Sequence, residues 1–351
     1  MNIVYVSRVQ MNPYVELLAR GVESAAPEAR CAVRDSLTPG WLWRQRREVD
    51  VLHLHWVELL YASATRKGLW VRWLGFVGAL LLAKALGIRI AYTVHNIEHH
   101  EGKHAALNRL TNGLVFRLAD VVHVHDEHAR RAVAEQLHRC RGVVTIPHGN
   151  YFSYPNVCSR EQARARLGLP AGAYTYLFLG QIRPYKGVED LLQAMAGLEA
   201  PDARLIIAGN AHEPAYGAEI AALAARDPRV MLVAQFVPAE DVQYFMNACD
   251  ICVLPYRHVT TSGAAILAFS FGKPVIAPRL GGFAELLAEG RGLLYEPGDI
   301  GGLREALRQA LTMDLEAAGA AAWAMARQLD WTAIGGQHWR AYQAARGQRA
   351  R

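Results

Sequence analysis

Short apolar runs alternate with longer stretches of helical periodicity along the chain. In the first half, the runs that predict strands are Asn2–Ser7, Val51–Leu54, Arg89–Val94, Asp120–Val124 and Val143–Ile146. Residues 147–173 then combine Gly, Pro, Asn and Ser with one short helical pattern, which indicates a linker region. Short strands separated by helices are typical of a parallel sheet covered by helices.

A second series of the same kind follows the linker. Its predicted strands are Tyr174–Leu179, Arg204–Ala208, Val230–Val233, Ile251–Leu254, Pro274–Ala277 and Gly292–Tyr295. The pattern predicts an α/β protein with two doubly wound domains, residues 1–155 and 156–328, and a helical segment, 329–351. Ligands of such sheets bind beyond the carboxyl ends of the strands, so we expect a site in a cleft between the domains.

Composition fits this picture and adds a charge asymmetry. The chain has 351 residues, of which 52% are hydrophobic and 20% charged, as in a folded globular protein. The net charge of +6 is concentrated in residues 1–165, where 21 Lys and Arg face 14 Asp and Glu. This asymmetry indicates either an anionic partner or an ordinary solvated basic face. No base-stacking or base-reading motif accompanies it, so we expect no nucleic acid partner.

One stretch, Leu69–Ala83, is apolar apart from Arg72 and is flanked by Arg66, Lys67 and Lys84. It is too short for a membrane span, which takes about 20 apolar residues. Residues 66–89 therefore predict either an interfacial helix on an anionic membrane surface or a buried helix that covers the first sheet.

Cysteines and histidines raise metal and redox hypotheses. The five cysteines form no even framework and the N-terminus begins as a strand, so we expect a reduced, cytoplasmic protein. Cys249 and Cys252 are expected to be buried structural thiols. The pairs His53/His55 and His123/His125 each share a strand face, but the chain has no Asp-x-Asp, and we predict no metal.

Two polar turns in the second half can bind a diphosphate. Arg183 and Lys186 lie between a strand and a helix, where free amides and the helix dipole add to their charge. Thr261, Ser262 and Gly263 precede another helix, where they can cap it and admit a ligand. Taken singly, each turn is equally well a solvated loop or a capped helix. Their pairing favours a metal-free phosphate cradle.

The order of the short motifs adds a family resemblance. The motifs are Gly180…Arg183…Lys186-Gly187, Leu205-Ile-Ile-Ala-Gly209, Ala248-Cys-Asp250-Ile-Cys-Val-Leu-Pro255, Gly272-Lys-Pro274, Gly281-Gly282…Glu285 and Gly292-Leu-Leu…Pro297-Gly298-Asp299. Over roughly 125 residues this series resembles the C-terminal domain of GT-B glycosyltransferases of family 4. Thr93-Val-His95-Asn96 and Ile146-Pro-His-Gly149 fit the N-terminal domain more loosely.

The resemblance implies transfer of a sugar from a nucleoside-diphosphate sugar, the only co-substrate expected in place of a cofactor. It places the donor diphosphate at Arg183 and Lys186 and a histidine, His95, beside the transferred sugar. It also implies that the last helix crosses back to the first domain. We expect the donor nucleoside or sugar near Gly180, Gly209, Phe236, Val237 and Glu285.

One departure from the family pattern limits this transfer of roles. Family 4 members usually carry two glutamates before the Gly-x-Pro turn, and these positions hold Val259 and Leu267 here. The donor and the anomeric outcome therefore stay open. Glu285 is the nearest matching carboxylate, although a structural role at a helix start is the simpler interpretation.

Polar residues that follow two strands of the first domain are candidates for acid–base chemistry and acceptor binding. We predict His95 and Glu98 as catalytic residues, and His55, Trp56 and Asn96 as the acceptor site. The predicted function is glycosyl transfer to a membrane-presented, lipid-linked saccharide in cell-surface or exopolysaccharide assembly, on the inner face of the plasma membrane. A catalytically silent nucleotide-sugar-binding partner and a GT-B epimerase or hydrolase are the alternatives.

Overall fold

The computed structural model describes residues 1–9, 12–95, 104–137, 139 and 142–347. They form two compact units. Unit 1 comprises Met1–Gly149 and Leu329–Arg351, and unit 2 comprises Asn150–Gln328. The last helix of the described chain thus belongs to unit 1, although it follows unit 2 in sequence.

Unit 1 contains a six-stranded sheet in which every pairing is parallel. Its strands are β1 (Asn2–Val6), β2 (Arg30–Arg34), β3 (Val51–Leu54), β4 (Arg89–Thr93), β5 (Val121–Val124) and β6 (Val143–Thr145). The strand order β2-β1-β3-β4-β5-β6 reverses direction between β1 and β3.

Unit 2 repeats this architecture with a second parallel sheet. Its strands are β7 (Thr175–Leu179), β8 (Arg204–Ala208), β9 (Val230–Val233), β10 (Ile251–Val253), β11 (Val275–Pro278) and β12 (Gly292–Tyr295). The order β12-β11-β10-β7-β8-β9 reverses between β10 and β7. The predicted α/β class with two doubly wound, Rossmann-like sheets is confirmed.

Helices cover the faces of both sheets. Those of unit 1 are α1 (Tyr14–Ala25), α2 (Pro39–Arg44), α3 (Val57–Leu60), α4 (Arg66–Ala85), α5 (Ala105–Leu118), α6 (Glu127–Leu137) and α15 (Trp331–Gly347). Those of unit 2 are α7 (Arg160–Arg166), α8 (Val188–Ala196), α9 (Pro214–Ala224), α10 (Val242–Ala248), α11 (Gly263–Ser270), α12 (Phe283–Leu286), α13 (Ile300–Ala310) and α14 (Leu315–Gln328).

The sequence pattern missed one strand, β2. Its residues, RCAVR, carry a basic side chain at each end and are mostly exposed, because β2 pairs only with β1 at the edge of the sheet. Edge strands lack the continuous apolar run that marks a buried parallel strand.

Helix α4 is longer than its apolar run. It begins at Arg66, where Thr65 caps it, and spans 20 residues. Its length and a mean hydropathy of 1.3 match those of a membrane-crossing helix, which the shorter apolar run did not. Within unit 1 it packs against α2, α3, α5 and β4, with Phe76, Ala79 and Leu80 buried. The helix therefore serves as the predicted cover of the sheet, with an apolar outer face.

Close packing of α15 on α1 depends on small residues. A Cβ added at Gly335 would overlap the backbone of Gly21, whereas one added at Gly336 would lie at ordinary distances from Ala25 Cβ, 3.6 Å, and from the Arg340 side chain, 3.7 Å. Two adjacent positions of one helix thus differ in the space available to a methyl group.

We expect Gly335→Ala to lower the stability of unit 1 by about 1–3 kcal/mol, the usual cost of overpacking. Gly336→Ala is the matched control. It should be neutral or stabilising by up to about 1 kcal/mol, because alanine favours helix. Thermal and urea unfolding of both variants measures the difference, and equal midpoints would contradict this packing.

Candidate active site

The two turns predicted to bind a diphosphate follow β7 and β10, neighbouring strands at the order reversal of the second sheet. Loops diverge at such a reversal and leave a crevice beyond the strand ends, which is where doubly wound folds bind ligands. The structure therefore brings the loop that carries Arg183 and Lys186 beside the loop that leads to Ser262.

The loop after β7 holds both cations half-buried. Arg183 Nε donates to Gln181 Oε1 at 3.0 Å. Lys186 closes a 3-10 turn, Pro184–Lys186, and its Nζ lies 5.3 Å from the centroid of the Tyr256 ring. Gly187, the N-cap of α8, has φ +63°, and a side chain there would overlap the Pro255 carbonyl of the β10 loop. Glycine at this position lets the two loops meet.

The loop after β10 ends in the N-terminus of α11. Ser262 caps this helix by accepting a hydrogen bond from Ala265 N at 3.3 Å. The amides of Gly263 and Ala264 lie in the first turn, where the helix itself supplies no acceptor. These amides and the helix dipole suit an anionic ligand. The buried Ser262 hydroxyl is thus used for capping, and Thr261 lies half-buried before it.

Arg257 joins the two loops and was not among the predicted site residues. Its backbone N donates to Tyr185 O at 2.8 Å, and its guanidinium binds both Asp190 oxygens at 2.9 and 2.7 Å and Glu189 at 2.6 Å. These carboxylates hold the pKa of Arg257 above its usual value, with the Asp190 hydrogen bond the main cause. The sequence signal was only an Arg in a loop, and its acidic partners lie some 67 residues away.

The other donor residues predicted from the sequence lie at strand ends or on the surface of unit 2. Gly180 and Gly209 follow β7 and β8 and approach backbone to backbone. Phe236 is 48% exposed and Val237 is half-buried after β9. Glu285 is exposed in α12.

The two residues that replace the family glutamates contribute to the packing of unit 2. Val259 and Leu267, which occupy the two glutamate positions, lie partly buried against the core of unit 2. Cys249 and Cys252, which we predicted to be buried structural thiols, are indeed free and buried.

In unit 1, a row of histidines follows the sheet around its own order reversal. His55 and Trp56 come directly after β3, and His95 follows β4. His55 is fully buried, while Trp56 and His95 are half-buried. Glu98 and Asn96, also predicted for the site, fall outside the residues that the structure describes.

Among the described residues, the rings of Trp56, Tyr14, His55 and His125 lie around His95. The Trp56 indole stacks on it at 3.7 Å between centroids with 9° between planes. Tyr14 meets it edge-on at 5.0 Å, and His55 Nδ1 lies 3.0 Å from His95 Nε2, at hydrogen-bond distance. The assignment of His55 to the acceptor site stays a prediction, and the structure shows that its buried side chain contacts His95.

Behind this group lies a buried cluster of further histidines under α15. The ring nitrogens of His53, His123 and His338 lie within 4.8 Å of one another. His53 is already bonded at both nitrogens, to Tyr342 Oη at 2.7 Å and Thr93 Oγ1 at 2.8 Å. The His123 and His338 rings stack at 4.2 Å and 27°, so their in-plane lone pairs run side by side rather than converge. This is the geometry of packed neutral imidazoles rather than of metal ligands.

Burial sets the charge state of these histidines. Desolvation, followed by the neighbouring rings, lowers the pKa of His95 and His55 well below the usual value. Desolvation, followed by proximity to His125, lowers the pKa of His123 and of His148 to about 3. The imidazoles in this part of unit 1 are therefore neutral at physiological pH, and a neutral imidazole can accept a proton.

Two sequence comparisons decide the family. The family model described as "Glycosyl transferases group 1" matches residues 173–313. A GDP-mannose:glycolipid 4-beta-D-mannosyltransferase of Xanthomonas campestris pv. campestris is 30% identical over 344 residues, which cover 96% of this chain and 89% of that protein. The chain belongs to the group 1 glycosyltransferases. The family resemblance and the prediction of an enzyme are confirmed.

Solved structures place this glycosyltransferase in the GT-B fold. Anabaena Alr3699/HepE in complex with UDP-glucose superimposes with a TM-score of 0.79 at 19% identity, over 98% of this chain and 100% of the other. WaaG, a glycosyltransferase involved in lipopolysaccharide biosynthesis, gives a TM-score of 0.67 at 18% identity, over 96% and 98%. At these identities the likeness concerns the fold alone.

The depressed histidine pKa values of the glycosyltransferase predict acid sensitivity. The unfolded chain binds protons below about pH 6.5 while buried His123 and His148 do not, so stability falls as pH drops from about 6.5 towards 3. Each histidine should cost about 1.4 kcal/mol at pH 5.5 relative to pH 7.5. Urea unfolding at the two pH values measures the loss. His123→Leu should reduce this loss of stability by the contribution of one histidine. An unchanged loss would show that the pKa of His123 is not lowered.

Proposed function

We propose that this chain transfers mannose from GDP-mannose to a glycolipid acceptor, with formation of a β-linked product, at the cytoplasmic surface of a membrane. The observation that carries the proposal is the pair of loops at the order reversal of the second sheet. Arg183 and Lys186 lie there beside the capped N-terminus of α11. The relative that spans nearly the whole chain is named for GDP-mannose and a glycolipid.

The donor half of the proposal rests on charge. A nucleoside diphosphate carries its negative charge on the phosphates, which leave as an anion when the sugar is transferred. Two cations and the first amides of α11 stabilise that anion without a metal. Arg257 holds the two loops together. The cations and amide groups that bind phosphate are therefore in place before negative charge develops on the leaving group.

The acceptor half rests on neutral imidazole. A β-mannoside formed from an α-configured donor requires inversion at the anomeric carbon, and therefore a general base for the acceptor hydroxyl. His95 fits this role because burial keeps its ring neutral while the side chain remains half-buried rather than sealed.

The membrane part rests on the outer faces of α4 and α5. Exposed apolar side chains, between 46% and 63% accessible, are Trp70, Val71, Leu74, Leu81 and Leu110. Exposed cations lie among them, namely Arg66, Lys67, Arg72 and Arg109. Lys84, expected from the sequence to contribute, instead pairs with Asp120 at 2.8 Å. Apolar side chains ringed by cations suit the interface of an anionic membrane.

A second candidate function is a silent nucleotide-sugar-binding partner of a glycosylation complex. Val259 and Leu267 favour it, because neither side chain can bind the ribose or the sugar as a glutamate does. Turnover of GDP-mannose with and without a glycolipid acceptor separates the two. An epimerase or hydrolase would consume the donor without an acceptor.

We expect Arg183→Ala and Lys186→Ala each to weaken GDP binding by about 1.5–3 kcal/mol, the worth of a charge-assisted hydrogen bond. This corresponds to a roughly 10- to 150-fold higher Kd, measured by calorimetry. Arg226→Ala, which removes an exposed cation at the end of α9, is the control and should leave Kd unchanged. Unchanged affinity in both cradle variants would overturn the donor site, and tighter UDP or ADP binding would overturn the choice of base.

We expect the wild-type protein to float with liposomes that contain anionic lipid, and less so as salt rises. A Trp70→Gln/Leu74→Gln variant should float several-fold less, because it loses apolar contact without losing charge. Trp323→Gln is the control, since Trp323 is a similarly exposed tryptophan in unit 2. Wild-type protein that stays entirely in the soluble fraction would contradict the membrane contact.

A further inference from the structure

Trp56 has an unusual backbone for a large side chain. Its φ of 44° and ψ of 57° lie in the left-handed region, which is strained for a bulky residue. The indole of this strained residue covers one face of the His95 ring in near-parallel contact. Strain of this kind persists only where surrounding structure enforces it and clusters at functional sites. The observation points to the orientation of His95 as what the strain maintains.

His55 fixes the same ring from its edge. Its backbone N donates to Val6 O at 3.0 Å, which ties it to β1. Its imidazole is immobilised between His53, at 4.3 Å, and Tyr14, at 5.7 Å between centroids. Because His55 Nδ1 faces His95 Nε2 at 3.0 Å, the other nitrogen of His95 points away from this contact. Among the described residues, His55 supplies the hydrogen-bonding contact to the His95 ring.

Stacking alone does not choose between the two edges of His95. A half-turn of the ring about its Cβ–Cγ bond keeps the contact with Trp56, but it places a ring carbon against His55. That turn gives up the hydrogen bond between the two rings and leaves the buried Nδ1 of His55 without its partner. Trp56 therefore sets the plane of the ring, and His55 sets which nitrogen faces outward.

We infer that His55 and Trp56 are positioning residues that present Nδ1 of His95, and not Nε2, to the acceptor hydroxyl. The inference rests on the proposed function of His95 as general base. For Nδ1 to accept the proton of the substrate hydroxyl, His95 must carry its own proton on Nε2 and donate it to His55 Nδ1. This is the arrangement by which orienting groups hold catalytic bases. His55 is then protonated on Nε2, a buried atom with no hydrogen-bond partner among the described residues.

The step balances without a further reactant. Nδ1 takes the proton of the acceptor hydroxyl as the oxygen bonds to the anomeric carbon. The bond from that carbon to the phosphate oxygen breaks, and its electron pair leaves with the nucleoside diphosphate. The resulting imidazolium later returns its proton to solvent.

The test compares two substitutions of His55. Asparagine places a polar amide atom close to the position of Nδ1, so His55→Asn keeps a partner for His95, whereas His55→Leu removes it. His123→Leu is the control for loss of a buried histidine from the same face of the sheet, away from His95. Steady-state kinetics with GDP-mannose and a glycolipid acceptor are measured for all three, together with melting temperatures.

We expect His55→Leu to lower kcat by about 10- to 100-fold, the cost of a misplaced catalytic group, with KM for GDP-mannose within about twofold. His55→Asn should stay within about fivefold of wild type, and so should His123→Leu. Wild-type kcat in His55→Leu, or an equal loss in His55→Asn, would overturn the positioning role.

Nitrogen-15 NMR of histidine-labelled protein provides a readout that does not need turnover. Wild-type His95 should be the Nε2-protonated tautomer at pH 7, and His55→Leu should show a mixture of tautomers or a flipped ring. A wild-type His95 protonated on Nδ1 would overturn the inference. If instead the wild type transfers no sugar, or His95→Ala is fully active, the proposed function fails while the tautomer result stands.

Discussion

Parallel strand pairing is the constraint from which the arrangement of both units follows. A chain that pairs each new strand in parallel must return over a face of the sheet, so helices cover both faces and all strands end at one edge. Where the order reverses, between β1 and β3 and between β7 and β10, successive connections leave on opposite faces. Polar residues that follow these strands therefore lie close together at one end of each sheet, and this follows from the strand order alone.

The two candidate sites share this geometry but differ in charge. Unit 2 keeps formal charge at its strand ends, with Arg183 and Lys186 half-buried and the β10 loop tied by Arg257. In unit 1, burial lowers the pKa of the histidines, so their rings are neutral. Permanent cations suit a leaving diphosphate, whereas a neutral imidazole suits an incoming hydroxyl. The difference arises from burial, because both halves draw on basic side chains.

Loss of the family glutamates alters only part of the proposed donor site. Val259 and Leu267 add apolar packing to unit 2, while Ser262 still caps α11 and the helix still offers its first amides. The elements proposed to hold phosphate are thus independent of the side chains that would bind the sugar and the ribose. Phosphate binding is a property of backbone and cations, whereas sugar selection needs side chains with particular donors and acceptors.

Hydrophobic periodicity and turns such as Arg183–Lys186 are local signals, so the fold class, most strands and the turns proposed to hold phosphate were predictable from the residues alone. The sequence did not reveal the edge strand β2, whose exposed residues lack an apolar run. It also assigned His55 to the acceptor, which stays a prediction. The folded chain shows that His55 is buried against His95, and that Arg257 ties the β10 loop to Tyr185 and to Asp190 of α8. Such contacts join residues tens of positions apart, and their energies depend on burial, which arises only when the sheets form.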